Sequence, residues 1–162
     1  MAINPAALPE WTGGSGIPVT VDATGSVTAH AQSLSVLFDS FTLTPPSRSG
    51  QSTTHTVAFR TVVDVAAPVH LSIRQQLRGR VVKGAESRVV LMSILGPSVL
   101  VHEFPYGQPF DDGIEIEHED DFVQAPRQPC TGIITVLVEQ RESDTPVLVA
   151  IDSLDATLAP DG

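Results

Sequence analysis

The sequence predicts an all-β protein, an antiparallel β-sandwich or jelly-roll-like fold of roughly nine to ten strands with little or no helix. Three observations carry that reading. Apolar residues recur with period two over most of the chain, the pattern of half-buried strands. Thirteen prolines and twelve glycines are scattered along the 162 residues, so the apolar runs are bounded by turn residues. No window carries an apolar stripe at helical spacing, and β-branched residues abound. A chain of this length suits one domain and can bury roughly two-thirds of its unfolded surface.

Taken in order, residues 1–16 (MAINPAALPEWTGGSG) read as an N-terminal extended arm that ends near the sole tryptophan, Trp11. Packing of this arm on its own domain or on a neighbouring subunit is expected, and residues 17–162 form a single β-sandwich domain. Ile17, Val19 and Val21 share one strand face, and Asp22-Ala23-Thr24-Gly25 reads as the turn that follows. Leu34, Val36 and Phe38 alternate on even positions, whereas Phe41 and Leu43 are odd; the switch places a β-bulge near Asp39-Ser40. Val57, Phe59, Val63 and Val65 line up on odd positions. In the cleanest run Val69, Leu71, Ile73, Leu77 and Val81 are odd, while His70, Ser72, Arg74, Gln76, Arg78 and Arg80 are even. A strand puts all of those arginines on one side. Val89–Leu95, Ile133–Val138 and Val147–Ile151 are apolar on both parities. Such strands are central ones covered on both faces, or strands that face a subunit interface. Val99–Phe104 and Ile114–His118 complete the set.

Charge is unevenly distributed. The chain is net −10, which argues against nucleic acid or an anionic membrane as partner. Residues 1–81 are net +1 and residues 82–162 net −11. The segment 111–121 is acidic at seven of its eleven positions, with Glu115, Glu117 and Glu119 on one strand face and Ile114, Ile116 and His118 on the other. A row of carboxylates repels itself unless something positive lies opposite. Three readings stay open: a solvated edge strand that blocks unwanted pairing, a salt-linked contact with arginines within or between subunits, and a calcium site. The counterpart is the row Arg74, Arg78 and Arg80, with Lys83 and Arg88 beyond. If the two patches lie at opposite ends, the protein is dipolar and stacks head to tail. For a calcium site the ligands would be Asp111, Asp112, Asp120 and Asp121, although their spacing does not match the EF-hand loop. No other cofactor is expected.

Catalytic motifs are missing. There is no G-x-S-x-G elbow, no phosphate-cradling glycine loop, no dinucleotide fingerprint and no HxH or HExxH pair among the five histidines. Cys130 is the only cysteine, so an intrachain disulfide and a thiolate zinc site are both ruled out, and it reads as a small buried hydrophobe. The start lacks a basic region followed by an apolar core, and no apolar stretch approaches the length of a membrane span. The expected location is the cytoplasm, or outside the cell by a signal-independent route.

The order Arg78-Gly79, Gly84, Gly96-Pro97, Pro129-Cys130 and Asp152-Ser153-Leu154-Asp155, over roughly residues 34–157, resembles an uncharacterised family of small, usually secreted β-rich proteins. Members place an RG pair on one strand, a GP turn after a later one, a PCG-like corner and a closing DS-x-D strand. Here the corner is one residue longer, Pro129-Cys130-Thr131-Gly132, and the partner cysteines of the family are missing. The resemblance implies a β-sandwich and no activity.

The expected function is that of a non-enzymatic structural or interaction module. It self-assembles into a homo-oligomer through its arm and its segregated charged faces, with Trp11, the arginine row and the glutamate row as contact residues. The alternative is a carbohydrate- or calcium-dependent binding module, whose ligand loop would be Phe104-Pro105-Tyr106-Gly107-Gln108-Pro109-Phe110, with the rings of Phe104, Tyr106 and Phe110 as contacts. A glycan is the partner that loop would take.

Overall fold

The computed structural model describes residues 10–12, 23–44, 51–65, 67–126, 128–141 and 146–160. Among these residues it has ten strands: β1 (Glu10–Thr12), β2 (Ala23–His30), β3 (Ser33–Leu43), β4 (Gln51–Asp64), β5 (Val69–Lys83), β6 (Ser87–Leu95), β7 (Ser98–Phe104), β8 (Phe110–Gln124), β9 (Gln128–Gln140) and β10 (Leu148–Pro160). Sheet I has the order β1-β4-β9-β6-β7 and sheet II the order β2-β3-β10-β5-β8. Every pairing is antiparallel.

The ladder partners disclose the topology. β3 pairs with β10, β4 with β9, β5 with β8 and β6 with β7. The chain is therefore one long antiparallel ribbon whose successive segments alternate between the sheets, which is the jelly roll. Its tip is the two-residue turn Gly96-Pro97, closed by the Leu95–Ser98 pair. Gly96 has φ +60°, the sign that a tight hairpin needs at its first loop position, and a Cβ there would lie 2.8 Å from Cys130 Sγ. β1 and β2 add one edge strand to each sheet.

Alternation puts the core between the sheets. On β5, Leu71, Ile73, Leu77 and Val81 are fully buried, and on β4 Val57, Phe59 and Val63 face them across the sandwich. Each such side chain contributes about 1.5–3 kcal/mol by leaving water. The bulge expected near Asp39 is present: Thr24 pairs with Ser40 and Gly25 with Phe38, so Asp39 is passed over. As a result Leu34 and Val36 before it and Phe41 and Leu43 after it are all buried. Arg78-Gly79 lies where β10 bulges between Ile151 and Ser153. A Cβ on Gly79 would come within 2.1 Å of the Ala150 carbonyl oxygen, so glycine permits that approach.

One expectation is corrected here. Ala23-Thr24-Gly25 is not a turn but the start of β2, because β3 supplies pairing partners beside its bulge. Within the arm, Glu10–Thr12 packs on its own domain, one of the two placements expected for it, and pairs with Val62–Asp64 as an edge strand of sheet I. The strand expected at Ile17–Val21 lies outside the described residues.

Polar groups inside the sandwich are mutually satisfied at its centre. Gln75, fully buried, donates to Ser98 Oγ at 2.8 Å and accepts from Ser93 Oγ at 2.6 Å, linking sheet II to sheet I. Without those partners a buried amide would cost several kcal/mol.

Candidate functional site

The arginine and glutamate rows meet. β5 and β8 are neighbours in sheet II, and Arg74, Gln76 and Arg78 stand opposite Glu119, Glu117 and Glu115. Even positions of β5 and odd positions of β8 point outward together, so one exposed face carries both rows. Arg74 Nη2 donates to Glu117 Oε2 at 2.5 Å, Arg80 Nη2 to Asp111 Oδ1 at 2.6 Å, and Arg78 lies 3.9 Å from Glu115. Ser72 Oγ donates to Glu119 at 2.7 Å, and Gln76 Nε2 bridges Glu115 and Glu117. The guanidinium of Arg74 holds the Glu117 carboxyl below the usual carboxylate range, and Glu117 raises Arg74 in return.

This settles the position of the charged patches. They are not segregated at opposite ends; the jelly roll brings residues about forty positions apart into one cross-strand ladder. β8 is also an edge strand, so its carboxylates lie where unwanted pairing would otherwise occur. Lys83 departs from the row. It sits on an odd, inward position, is 2% exposed, and donates to the carbonyls of Gly84 at 2.9 Å and Gln108 at 2.6 Å. Arg88 belongs to the other sheet, held between Glu103 at 2.6 Å and Glu139 at 3.2 Å.

The four aspartates do not converge. Asp111 pairs with Arg80, Asp112 accepts the Gly113 N–H at 2.7 Å, and Asp121 stands opposite Ser72. Asp120 points inward, where it accepts the Val99 N–H at 3.1 Å and contacts His118 Nε2 at 2.9 Å. Asp111 and Asp121 share a face but are separated by ten residues of extended strand, about 33 Å. Among the described residues no group of three or more His, Cys, Asp or Glu side chains could hold a metal ion.

The aromatic loop folds onto itself. Phe104 is 7% exposed and packs against Phe110 and His102, each with ring centres 4.8 Å away. Tyr106 lies under the Arg141 guanidinium at 4.1 Å, and burial raises its phenol above the ordinary tyrosine value. These contacts anchor the loop, and Phe110 also lines a cavity of about 460 Å³ with Val82, Lys83, Gly84, Ala85, Pro109 and Asp111. Trp11 is likewise taken up by its own domain. It is 2% exposed, its indole N–H donates to Gln32 O at 3.1 Å, and its backbone N–H to Ala31 O at 2.8 Å. That corrects its assignment as an intersubunit contact: β1 carries it across from sheet I to the β2–β3 turn of sheet II. Cys130 is buried as expected, and burial pushes its thiol up to about 12.

A different surface stands out. The outward positions of sheet I are Thr56 and Ala58 on β4, Ile133, Thr135 and Leu137 on β9, Val90, Met92 and Ile94 on β6, and Val99 and Val101 on β7. The register aligns them in rows: Leu137–Val90, which ends on Glu103 of β7, then Thr135–Met92–Val101 and Ile133–Ile94–Val99. Val99 and Val101 are 42% and 57% exposed, and no described element lies over the patch. The Glu103–Arg88–Glu139 group brings charge to one end of the face, and at the other end the Asp120 carboxylate accepts the Val99 N–H while Arg60 stands opposite Thr131 in the register. The two-sided apolar runs at 89–95 and 133–138 carried the signal for this face; that Val99 and Val101 extend it needed the sheet order.

No family model matches the chain, and no curated protein sequence matches it. Its fold is similar to solved structures at low identity. The CBM35 from Cellvibrio japonicus Abf62 overlays 96% of this chain and 97% of its own, with TM-score 0.38 and 14% identity. The infectious bursal disease virus Gx strain structure overlays 90% of this chain, TM-score 0.33 and 14% identity, and the chain spans 35% of that one. The VP2 subviral particle of the same virus overlays 89%, TM-score 0.34 and 12% identity, over 36% of its chain.

Proposed function

We propose that this protein is a non-enzymatic structural or interaction module that associates with copies of itself. The observation that supports the reading is the contrast between its outer faces. Sheet II pairs its charges within the chain, whereas sheet I presents adjoining rows of apolar side chains with no described cover. Contiguous apolar patches of that kind mark interaction surfaces on soluble proteins. Association driven by such a face is apolar in character, so salt does not weaken it, in contrast to a contact between charged faces. Sedimentation velocity across a concentration series tests this, at low salt and at high salt. An oligomer that persists at both is expected. A monomer at every concentration overturns the reading, and an oligomer that dissociates in salt returns the charged face to consideration.

A further inference from the structure

We propose that the outer face of sheet II binds a neutral polysaccharide, with one sugar ring seated in a cleft between β10, β5 and β8 and the chain lying across the strands. That face is opposite the one invoked for self-association and is independent of it. β10 reaches the cleft because its bulge between Ile151 and Ser153 switches parity. Asp155 and Thr157 then point outward, while Leu154, Ala156 and Leu158 stay buried.

Asp155, Gln76 and Glu117 stand in one row, and Thr157 and Arg74 in the next. These five side chains line a depression of about 220 Å³. That is below the roughly 300–1,000 Å³ of sites for drug-sized molecules, so one ring fits rather than several. The lining selects by charge. An anion there meets two carboxylates, and a cation drawn to them meets the Arg74 guanidinium. None of the five is an apolar residue, so an apolar ligand gains little. Neighbouring hydroxyls of a sugar suit the mixture, since each both donates and accepts. Asp155 is the group left to receive them. Arg74 and Gln76 already donate to Glu117, whereas half-buried Asp155 has no hydrogen-bond or ion-pair partner among the described residues. A carboxylate in that position takes its donors from water or from a ligand.

The rest of the face sets the length. Ser35 on β3 and Thr28 on β2 continue the Asp155 row, so it is polar across all five strands. The next row, from His30 and Ser33 through Thr157 and Arg74 to Glu119, is polar throughout as well. At about 4.8 Å per strand this makes a track roughly 19 Å long. Leu37 interrupts the following row between Ser26 and Ser153, which bounds the track at two rows. A free sugar would use the cleft alone. A chain across the strands also meets the hydroxyls of Ser35 and Thr28.

The test is native electrophoresis of the full chain through gels containing galactomannan, xyloglucan or hydroxyethylcellulose, with polygalacturonate as the charged comparison. Retardation by at least one neutral polymer is expected, equal at low and high salt because no ion pair holds the ligand. Asp155→Ala and Arg74→Met are each expected to weaken that retardation at least tenfold, with unchanged circular dichroism spectra. Phe110→Leu, in the larger cavity beside Lys83, is expected to leave it unchanged. Short oligosaccharides of the retarding polymer are expected to displace it, and its monosaccharide is not. No retardation by any neutral polymer overturns the proposal. So does retardation that Asp155→Ala leaves intact, or that Phe110→Leu abolishes. Retardation by polygalacturonate alone, or loss in salt, overturns the ligand class. Equal displacement by the monosaccharide overturns the chain and leaves the cleft a free-sugar site.

Discussion

Leu37 and Val101 are almost equally exposed, at 55% and 57%, yet they belong to surfaces of opposite character. Leu37 points out of sheet II between Ser26 on β2 and Ser153 on β10. Val101 points out of sheet I beside Met92, with Val99 on its own strand. Exposure of one apolar side chain is therefore a poor guide to function; the register that decides its neighbours is a better one. A lone leucine among serines is ordinary surface, whereas a valine within continuing apolar rows belongs to a patch. The same sandwich also solves its charge problem on one side only. On sheet II, Arg74 and Arg80 pair with Glu117 and Asp111, and Ser72 and Gln76 hold Glu119 and Glu115.

The comparison can be broken most directly by placing the same charge on both faces. Met92→Glu is expected to abolish self-association, while Leu37→Glu leaves the oligomer intact and changes folding stability by no more than about 0.5 kcal/mol, as for a surface site. Equal behaviour of the two variants in sedimentation would remove the distinction. Next in size is Trp11→Ala. Because the indole is buried in its own domain, its loss is expected to cost about 3–5 kcal/mol of stability in a denaturant titration. The partition between association and stability is the informative part: an arm that served a neighbouring subunit would lose oligomer and keep its stability.

Acid gives a smaller effect that is specific to the ion pairs. Glu117 and Glu103 are held below their ordinary range by hydrogen bonds from Arg74 and Arg88. Unfolded carboxyls of this kind titrate at about 4.3. The stability these pairs contribute is thus fully present above that value and is lost as pH falls through the lower folded pKa. Melting temperatures measured from pH 7 to pH 3 should show this decline, and Glu117→Gln should shrink it. Smallest of all is removal of a single pair at neutral pH. Arg74→Met is expected to shift the melting temperature slightly at low salt and not at all at high salt, since exposed ion pairs are screened. A large, salt-resistant loss would mean that the ladder of sheet II does more than neutralise itself.

Much of the fold was legible beforehand, for local reasons. The even arginines and odd apolar residues of 69–81 lie on opposite faces of β5, as period two requires. The parity switch after Phe38 is the bulge at Asp39. Less of the site was legible. Lys83 looked like an extension of the arginine row, yet one step of parity buries it against two carbonyls. Trp11 looked available because nothing in its neighbourhood along the chain covers it; the Ala31-Gln32 turn, twenty residues away, does so in space.

By itself, the sequence determined that this chain forms strands, where they bend, and which residues share a face of each strand, because alternation is a property of one extended segment. Only the tertiary structure decided which strands lie side by side. Arg74 meets Glu117 rather than a partner molecule because the rolled ribbon pairs β5 with β8, and Val101 joins Met92 and Thr135 because β7, β6 and β9 are neighbours in one sheet. The β5–β8 and β6–β9 pairings join segments about forty residues apart, while β6–β7 closes locally through the Gly96-Pro97 turn. The pattern of any single strand carries no record of them.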